Sequence, residues 1–427
     1  MLIEFSVGNF LSFNQIASLN MIASPDSYLE DQSVFTENKY RLLKNAVIYG
    51  ANASGKSNLL KAMAFMRRFI FESSKESQAT EDIEIENFRL STESQTQPSF
   101  FEIIFIHEQK KYRYGFEADT HQIHSEWLFF VPTRTEAKLF TRDKISIQIG
   151  SYFKEGKGLE SRTRPNALFL SVVAQFNGEM ANNILNWFKK LNVISGLDVR
   201  SYIDFTLKKI ENKAHLKRIT KLLKIADLAI QDVNINVMKT AIRDLPEKLR
   251  LEAQDISERD ELTTEFFTIS TQHFKYDKEK KKIATEIFNL DKNESEGTRK
   301  FFFFTGPLSD TLDNGKILFV DELDARFHPF ITRLIIQLFN SVQTNPHNSQ
   351  LIFATHDTKL LDNRIFRRDQ IWFAEKDDYE ATDLFSLAEY KESEKDDMSF
   401  EYGYMLGEYG AIPFIGDIEF LTGDDDE

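Results

Sequence analysis

The spacing of apolar side chains predicts strands at the start of the chain. Apolar and polar residues partly alternate in residues 3–7 and 17–21, which is the period of a half-buried strand. Residues 45–49 then form a compact apolar run that ends at Gly50, and residues 58–74 have the composition and spacing of a helix. Strand, glycine and helix in this order predict an α/β fold.

Further strands are predicted after this helix. Residues 100–105 and 112–116 are two apolar-rich segments that predict a β-hairpin. Residues 127–130 and 138–142 predict additional strands of the same sheet. We therefore expect an antiparallel β subdomain in the N-terminal part of the chain.

The pattern becomes helical from about residue 178 to residue 260. A basic stripe lies in this stretch, between Lys208 and Lys224, and a short hairpin is predicted to pair residues 266–269 with residues 282–284. Strands and helices then alternate up to an acidic end, residues 423–427. These changes divide the chain into residues 1–177, a helical insertion of residues 178–262, and residues 263–427.

Composition narrows the class of protein. The 427 residues are 41% hydrophobic and include no cysteine, which excludes disulfides, cysteine nucleophiles and thiolate metal sites. No apolar run reaches the roughly 18 residues of a membrane helix, and the first residues lack the features of a signal peptide. We expect a cytoplasmic protein that is not bound to a membrane. The net charge of −14 argues against a protein that coats nucleic acid with most of its surface, but it leaves room for one basic face.

The segment after the strand at residues 45–49 is a complete phosphate-binding loop. It consists of Gly50, Ala51, Asn52, Ala53, Ser54, Gly55, Lys56 and Ser57. Its glycines allow backbone N–H groups to turn towards a β-phosphate, Lys56 reaches the β- and γ-phosphates, and the Ser57 hydroxyl is a ligand for Mg²⁺. The expected cofactors are ATP and Mg²⁺.

A carboxylate pair follows a second buried strand far downstream. Residues 317–320 are continuously apolar and end at Asp321 and Glu322. We expect this strand to lie parallel and next to the strand of the phosphate loop, which would bring Asp321 near Mg²⁺. Glu322, one residue later, is the candidate that polarises an attacking water.

A third buried strand, residues 350–354, ends at Thr355, His356 and Asp357. The carboxyl ends of strands in open α/β sheets form the crevice where ligands bind. His356 is therefore a candidate for a hydrogen bond to the γ-phosphate, although a single histidine can also be purely structural.

These motifs together resemble those of the ABC-type ATPases of the SMC, RecF and OLD group. The phosphate loop continues into Asn58, Asp324 matches the D-loop acid that follows the carboxylate pair, and Ser295 with Gly297 matches the signature Ser-x-Gly at a helix start. The resemblance implies a P-loop ATPase domain with a mixed β-sheet and an insertion. It also implies that the signature of one copy contacts the γ-phosphate held by another, so a homo-oligomer of at least two chains is expected.

Three further segments narrow the resemblance. Residues 9–13, 166–171 and 409–413 look like those of the compact AAA-15-like ATPases of bacterial anti-phage systems, which include abortive-infection L-type and PARIS-type members. Such ATPases are usually encoded beside a nuclease or toxin subunit. A strand is predicted over residues 168–174, and Gln175 after it is the candidate Q-loop glutamine, with a surface amide as the equally weighted alternative.

The chain also departs from some members of the group. The residues after Asp357 are too few for the Toprim nuclease domain of OLD proteins, and the absence of cysteine excludes a zinc hook. Three functions remain open. They are a defence ATPase that holds or activates an effector such as a nuclease and responds to a phage protein or DNA, a RecF-like or SMC-like DNA-repair ATPase, and a scaffold in which nucleotide only orders the assembly.

Overall fold

The computed structural model describes residues 1–75, 78, 81–226, 228–241, 263–390 and 399–413. The chain has a mixed α/β fold and divides into two units. The first unit comprises residues 1–197, 311–325 and 332–427, and the second comprises residues 198–310 and 326–331.

The described strands and helices have the following bounds. The strands are β1 (Leu2–Gly8), β2 (Ala17–Asn20), β3 (Val34–Glu37), β4 (Tyr40–Leu43), β5 (Asn45–Tyr49), β6 (Ser99–His107), β7 (Lys110–Ala118), β8 (Ile123–Val131), β9 (Ala137–Arg142), β10 (Ile147–Ile149), β11 (Leu191–Ser195), β12 (Asp232–Ala241), β13 (Thr263–Tyr276), β14 (Lys282–Asn289), β15 (Ile317–Asp321), β16 (Gln350–Ala354), β17 (Ile371–Lys376) and β18 (Thr382–Ser386). The helices are α1 (Glu30–Ser33), α2 (Lys56–Glu72), α3 (Phe169–Gln175), α4 (Glu179–Phe188), α5 (Arg200–Ile210), α6 (Lys213–Ile225), α7 (Leu290–Asn293), α8 (Glu296–Asn314), α9 (Pro329–Asn340) and α10 (Phe400–Met405).

A six-stranded sheet lies at the centre of the first unit, in the order β11-β15-β16-β5-β17-β18. Its first five strands are parallel, and β18 pairs antiparallel with β17. Every residue of β5 and β16 is buried, as expected for parallel strands covered on both faces. The three strands predicted to carry chemistry therefore belong to one sheet, as the sequence predicts.

The predicted order of these strands is wrong in one respect. The strand that ends at Asp321, β15, is not next to β5, because β16 lies between them and pairs with both. Each of the three strands consists of buried apolar residues, so the sequence pattern does not distinguish a central neighbour from a more distant one. The strand of His356, rather than that of Asp321, is the direct neighbour of the phosphate-loop strand.

The first unit also contains a seven-stranded sheet, in the order β10-β9-β8-β7-β6-β1-β2. All of its pairings are antiparallel, and β6 and β7 form the predicted hairpin. Phe101 and Phe116 stack across this hairpin, and Phe65 of α2 lies against Phe101 with ring centroids 5.1 Å apart. This aromatic core packs the helix that follows the phosphate loop onto the N-terminal sheet, so the prediction of an antiparallel β subdomain is confirmed.

Residues 169–175 form helix α3, and the predicted strand over residues 168–174 is wrong. The helix begins on a buried carboxylate. Glu126 of β8 is fully buried and accepts hydrogen bonds from the backbone N–H groups of Phe169 (2.6 Å) and Leu170 (3.1 Å). These are donors that a helix start leaves unpaired. A short apolar run is compatible with a buried strand or a buried helix, and here a distant carboxylate selects the helix.

The second unit combines helices α5 and α6 with a sheet in the order β12-β13-β14. The predicted hairpin exists, but its register is wrong. Residues 266–269 pair with β12, and residues 282–284 pair with Lys275 and Tyr276 further along β13. The two partners use different parts of the 14-residue strand β13, since residues 263–272 pair with β12 and residues 270–276 pair with β14.

The described part of residues 178–262 is not wholly helical. It includes β11 of the central sheet and β12 of the second unit, so these two segments of the predicted helical insertion are strands. Residues 242–262 and the acidic end, residues 423–427, lie outside the described residues. The boundaries predicted after residues 177 and 262 stay predictions. Among the residues that the structure describes, no helix combines the length and the apolar character needed to cross a membrane.

Candidate functional site

The phosphate loop lies at the carboxyl end of β5 and leads directly into α2. Gly50 follows the strand, and a Cβ atom there would lie 2.2 Å from the carbonyl oxygen of Ala374. Gly55 has a φ of 110°, and a Cβ atom there would lie 2.1 Å from Thr382 Oγ1. Any side chain at either position would collide with the neighbouring strands, so the spacing of the two glycines is set by close packing as well as by the backbone conformation.

Two hydroxyl residues hold the loop from the side of the N-terminal turn and β18. Thr382 Oγ1 donates a hydrogen bond to the carbonyl oxygen of Ser54 (2.8 Å) and lies 2.7 Å from Ser12 Oγ. Ser12 Oγ also accepts a hydrogen bond from Asn58 Nδ2 (2.8 Å), and the backbone N–H of Thr382 donates to the Ser12 carbonyl (2.7 Å). Neither positioning residue is predicted from the sequence, although Ser12 lies in one of the segments that carry the family resemblance.

Lys56 points into the phosphate loop. Its Nζ donates hydrogen bonds to the carbonyl oxygens of Gly50 and Ala51, both at 2.8 Å. Burial lowers the pKa of Lys56 to about 8, and the negative charges of nearby acidic residues oppose this shift. Those residues are Asp321, Glu322 and Asp324. The ammonium group and the three carboxylates of the predicted site therefore lie close enough to interact electrostatically.

Asp321 ends β15, and Glu322 follows it in a left-handed conformation with a φ of 50°. For a residue with a side chain, this conformation is uncommon and is often found at functional sites. The backbone N–H of Gly196 donates to the carbonyl oxygen of Asp321 (2.6 Å), and a Cβ atom at Gly196 would lie 2.0 Å from the carbonyl oxygen of Glu322. Gly196 therefore lets the carboxylate pair turn against the end of β11, a role that the sequence did not reveal.

Several carboxylate oxygens of this region are buried without a partner. Within the described part of the chain, Asp321 Oδ1, Asp324 Oδ1 and Asp357 Oδ2 have no hydrogen-bond partner. Burial raises the pKa of Asp357, and the charge of Asp324 raises it further. A buried carboxylate oxygen with no donor is costly unless a cation or a ligand completes it. The unpartnered carboxylate oxygens thus favour a site in which a bound cation or ligand supplies their missing partners.

The residues predicted to bind Mg²⁺ fit that ion. Asp321 supplies an unpartnered oxygen, and Ser57 is the second residue of α2, half-buried at the end of the phosphate loop. Oxygen ligands from one carboxylate and one hydroxyl, completed by water and phosphates, are the set that Mg²⁺ prefers. No group of three or more acidic or histidine side chains among the described residues is arranged to hold a metal on its own. The fit therefore depends on phosphate oxygens as further ligands.

His356 follows β16 at the same edge of the sheet and is exposed. The next residue, Asp357, accepts a hydrogen bond at its backbone carbonyl from the hydroxyl of Tyr49, the last residue of β5 (3.2 Å). The segment after His356 is thereby attached to the end of the phosphate-loop strand. A contact of His356 with a γ-phosphate stays a prediction.

Ser295 and Gly297 lie in the second unit. Ser295 Oγ accepts a hydrogen bond from the backbone N–H of Thr298 (3.1 Å) and so caps the start of α8. A Cβ atom at Gly297 would lie 3.0 Å from the carbonyl oxygen of Arg326. The predicted helix start is correct, and the role of this signature in a neighbouring copy stays a prediction.

Gln175 is the last residue of α3 and is exposed. The strand predicted before it is wrong, and Gln175 was selected because it would follow that strand. The Q-loop role of Gln175 stays a prediction. Asn52 and Ala53 are exposed on the phosphate loop, and Ala53 has a φ of 63°.

Similarity to solved structures adds the following. An SMC head bound to the C-winged helix domain of ScpA aligns with a TM-score of 0.43 and 12% identity, covering 93% of this chain and 99% of the other. The SMC head domain from Thermotoga maritima aligns with a TM-score of 0.41 and 10% identity, covering 90% of this chain and 98% of the other. A third structure is an SMC head domain with an extended coiled coil bound to the C-terminal domain of ScpA, derived from Pyrococcus furiosus. It aligns with a TM-score of 0.41 and 10% identity, covering 95% of this chain and 98% of the other.

A search of curated proteins gives no match. A family match is found over residues 46–362, from the strand before the phosphate loop to the segment after His356. This range includes Lys56, Asp321 and Glu322, and it is well over half of the chain. The chain therefore belongs to the family described as "AAA domain, putative AbiEii toxin, Type IV TA system".

Proposed function

We propose that this protein binds and hydrolyses ATP in a Mg²⁺-dependent reaction and uses the nucleotide state to control a partner protein. The observation that carries the proposal is the position of Lys56, whose Nζ lies inside the phosphate loop on the carbonyls of Gly50 and Ala51. Three carboxylates act on the same ammonium group. A cation held this way has ligands to exchange for phosphate oxygens when a nucleotide enters.

Lys56 would leave the two carbonyl oxygens and bind the β- and γ-phosphates, while the loop N–H groups stabilise their charge. Mg²⁺, held by Ser57 and Asp321, supplies neutralisation of the phosphate charge when it is bound. Glu322 would orient and activate the attacking water, and His356 would donate a hydrogen bond towards the γ-phosphate. The left-handed backbone at Glu322 supports this role, because it fixes the direction of the carboxylate.

Two copies of the chain would share each nucleotide. In this arrangement, Ser295, Gly297 and Asp324 of one copy complete the pocket of the other, and ATP holds the pair together. Ser295 caps α8 through its own hydroxyl, which leaves the start of a 19-residue helix positioned for an anion. Hydrolysis would weaken the contact between the two copies, so the result of the reaction would be a change in the conformation and association of the chains.

The biological role we propose is that of the ATPase subunit of an anti-phage, abortive-infection type defence system in the cytoplasm. It would hold or activate a separately encoded effector, such as a nuclease, and respond to a phage protein or DNA. The family match supports the ATPase part of this role, since the family description names an AAA domain together with a putative AbiEii toxin of a type IV toxin–antitoxin system.

The direct test compares the purified wild-type protein with Glu322→Gln. We expect the variant to bind ATP with unchanged affinity and to lose at least about 100-fold in kcat, the usual scale for removing a general base. Glu179→Gln, at an exposed position in the first turn of α4, is the matched control and should keep full activity. Light scattering should show a dimer of Glu322→Gln that needs ATP. Full turnover by Glu322→Gln would remove this residue from the reaction.

The defence role requires a separate experiment. Cells that carry the gene with its genomic neighbours are challenged with phage, and protection is compared with that given by Lys56→Ala. We expect the variant to lose both ATP binding and protection. Protection that survives the loss of ATP binding would separate the phosphate loop from the biological function.

A second candidate function is direct DNA binding by a repair or maintenance ATPase, favoured by helix α6. Its buried face contains Ile219, Leu222 and Leu223. The opposite face presents exposed lysines, at Lys213, Lys217, Lys221 and Lys224. The simpler explanation is a solvated helix face. Binding of duplex DNA that falls steeply with salt and is lost in Lys217→Glu/Lys221→Glu would favour DNA, and a flat salt series would exclude it.

A further inference from the structure

We propose that the outer edge of β14 is a docking strand for an extended segment of a partner protein, one in which acidic and apolar residues alternate. The proposal rests on the proposed function in one respect, because it identifies the surface through which a partner would be held. A partner strand would add to the sheet β12-β13-β14 by pairing with its free edge. Four observations support this assignment.

First, β14 is an exposed edge strand. It is the last strand in the sheet order, and among the residues that the structure describes it pairs only with β13. Its first six residues are exposed and its last two are half-buried. Two large apolar residues are largely exposed along it, with 59% of Ile283 and 66% of Ile287 accessible. An exposed apolar edge is a strong template for strand pairing.

Second, the register identifies which backbone groups point outwards. The carbonyl oxygen of Gln272 accepts a hydrogen bond from the N–H of Gln231, just before β12, so the backbone groups of Gln272 face β12. Gln272 lies opposite Ile287. Residues directly opposite each other in an antiparallel pair either both exchange hydrogen bonds or both face away. The N–H and C=O of Ile287, and of Thr285 two residues earlier, therefore point to the free edge.

The backbone N–H of Asn289 confirms this direction. Asn289 is two residues after Ile287, so its backbone groups face the same way. Its N–H donates to Asn293 Oδ1 (2.8 Å) instead of to a carbonyl oxygen of β13. The free edge thus offers N–H and C=O groups at Thr285 and Ile287, the spacing that an incoming strand needs.

Third, the charge of this hairpin is opposite to that of the chain. Residues 275–289 contain five lysines and three acidic residues, whereas the whole chain has a net charge of −14. Lys278, Lys280 and Lys281 lie in the turn and Lys282 begins β14, whereas Lys275 lies on β13 and pairs with Glu286. Lys281 pairs with Glu279, and Lys282 lies over the ring of Phe274. An acidic segment complements this end, and its apolar residues would cover Ile283 and Ile287.

Fourth, the strand leads directly to the signature. β14 is followed by α7, Glu294 and Ser295. Glu294 Oε1 accepts hydrogen bonds from the hydroxyl of Thr271 (2.5 Å) and lies 2.7 Å from His273 Nε2, both on β13. The sheet and the residue before Ser295 are therefore one connected assembly, so a partner on β14 would be held next to the signature.

The test uses an eight-residue, fluorescein-labelled peptide in which glutamate and valine alternate, and a second peptide in which lysine replaces glutamate. Binding to the full chain is followed by fluorescence anisotropy. Ile287→Pro removes one outward N–H without removing a ladder donor. Val237→Pro is the matched control, because the same alternation gives Val237 on β12 an outward N–H at the opposite edge.

We expect the glutamate peptide to bind and the lysine peptide to bind at least about tenfold more weakly. Ile287→Pro should weaken binding of the glutamate peptide at least about tenfold, and Val237→Pro by less than about twofold. Circular dichroism and ATP binding of both variants should match the wild type, which confirms that the proline does not unfold the chain.

Three results would overturn the proposal. They are equal binding of the two peptides, equal effects of the two prolines, and no binding of the glutamate peptide to the wild type. If the wild-type chain does not bind the peptide but self-associates, and Ile287→Pro abolishes the self-association, the edge binds a second copy of the chain instead. None of these measurements requires ATP hydrolysis, so they are independent of the outcome for Glu322→Gln.

Discussion

The hydroxyl of Thr382 donates a hydrogen bond to the backbone carbonyl of Ser54, at 2.8 Å across 328 residues of sequence. Ser54 lies within the phosphate loop, and Thr382 is the first residue of the edge strand β18. The same hydroxyl lies 2.7 Å from Ser12 Oγ. The shape of the phosphate loop is therefore held by two distant segments as well as by its own glycines.

Thr382→Val removes this hydroxyl and keeps the volume of the side chain. We expect ATP affinity to fall about 5- to 30-fold, because the buried Ser54 carbonyl loses its donor at a cost of about 1–3 kcal/mol, partly expressed in the loop. Titration calorimetry with ATP measures the change. Thr344→Val removes a comparable hydrogen bond to the carbonyl of Leu338 (2.6 Å) and should leave affinity unchanged. An equal loss in both variants would mean a general loss of stability.

Gly196→Ala tests the support of the carboxylate pair. The new Cβ would lie 2.0 Å from the carbonyl oxygen of Glu322, so the backbone of Glu322 must move. We expect kcat to fall at least about tenfold with little change in ATP affinity, since about 1 Å of misplacement has a large effect on a reacting group. Gly158→Ala controls for backbone strain without a steric clash, because its φ of 83° disfavours a side chain while no atom lies within 4 Å of the new Cβ. An unchanged kcat in Gly196→Ala would show that Glu322 does not need this position.

Lys56 gives ATP binding a pH dependence. Burial lowers its pKa to about 8 in the free protein, and phosphate oxygens would hold the amine charged and raise that pKa. ATP binding should then take up a proton above about pH 8, and affinity should fall with rising pH, at most about tenfold per pH unit. Calorimetry in two buffers of different ionisation enthalpy measures the proton uptake. Lys61→Met, at an exposed site on α2, should keep it, and a pH-independent affinity would contradict the assignment.

The lowered pKa of Lys56 also makes the folding stability depend on pH. Because the folded pKa of Lys56 lies below the value of 10.5 for a free lysine, the folded state holds fewer protons between about pH 8 and 10.5. Its contribution to the free energy of unfolding should therefore rise with pH across that window. Urea denaturation of the wild type and of Lys56→Met at pH 8 and pH 10 tests this, and an identical pH trend in both proteins would show that the charge of Lys56 is not the cause.

Glu126→Gln tests the buried carboxylate that starts α3. The carboxylate accepts two backbone N–H groups and the hydroxyl of Tyr114 (3.0 Å), and Arg142 Nη1 lies 3.6 Å away. An amide offers one acceptor oxygen and leaves Arg142 without its counter-charge. We expect the free energy of unfolding to fall by about 3–5 kcal/mol, as measured by urea denaturation. Glu117→Gln, half-buried on β7, should cost less than about 1 kcal/mol, and a similar small cost for Glu126→Gln would contradict the capping role.

Short-range patterns were sufficient for the nucleotide motifs. The order of strand, phosphate loop and helix is contained in consecutive residues, because β5 consists wholly of buried residues and the glycine spacing follows from the backbone turn. The same holds for the strands that end at Asp321 and before His356. Buried parallel strands are continuous apolar runs, and such runs are visible in the sequence.

The tertiary structure decided what depends on distant partners. It placed β16 between β5 and β15, which look alike as sequences. It made residues 169–175 a helix, because the carboxylate of Glu126 binds the N–H groups at their start. Thr382, Ser12 and Gly196 have no local signal, since each acts on residues far from it in the chain. The sequence by itself determined the strands and the loop that carry the nucleotide motifs. Long-range hydrogen bonds and close contacts determined the type of ambiguous segments such as residues 169–175 and how the elements meet.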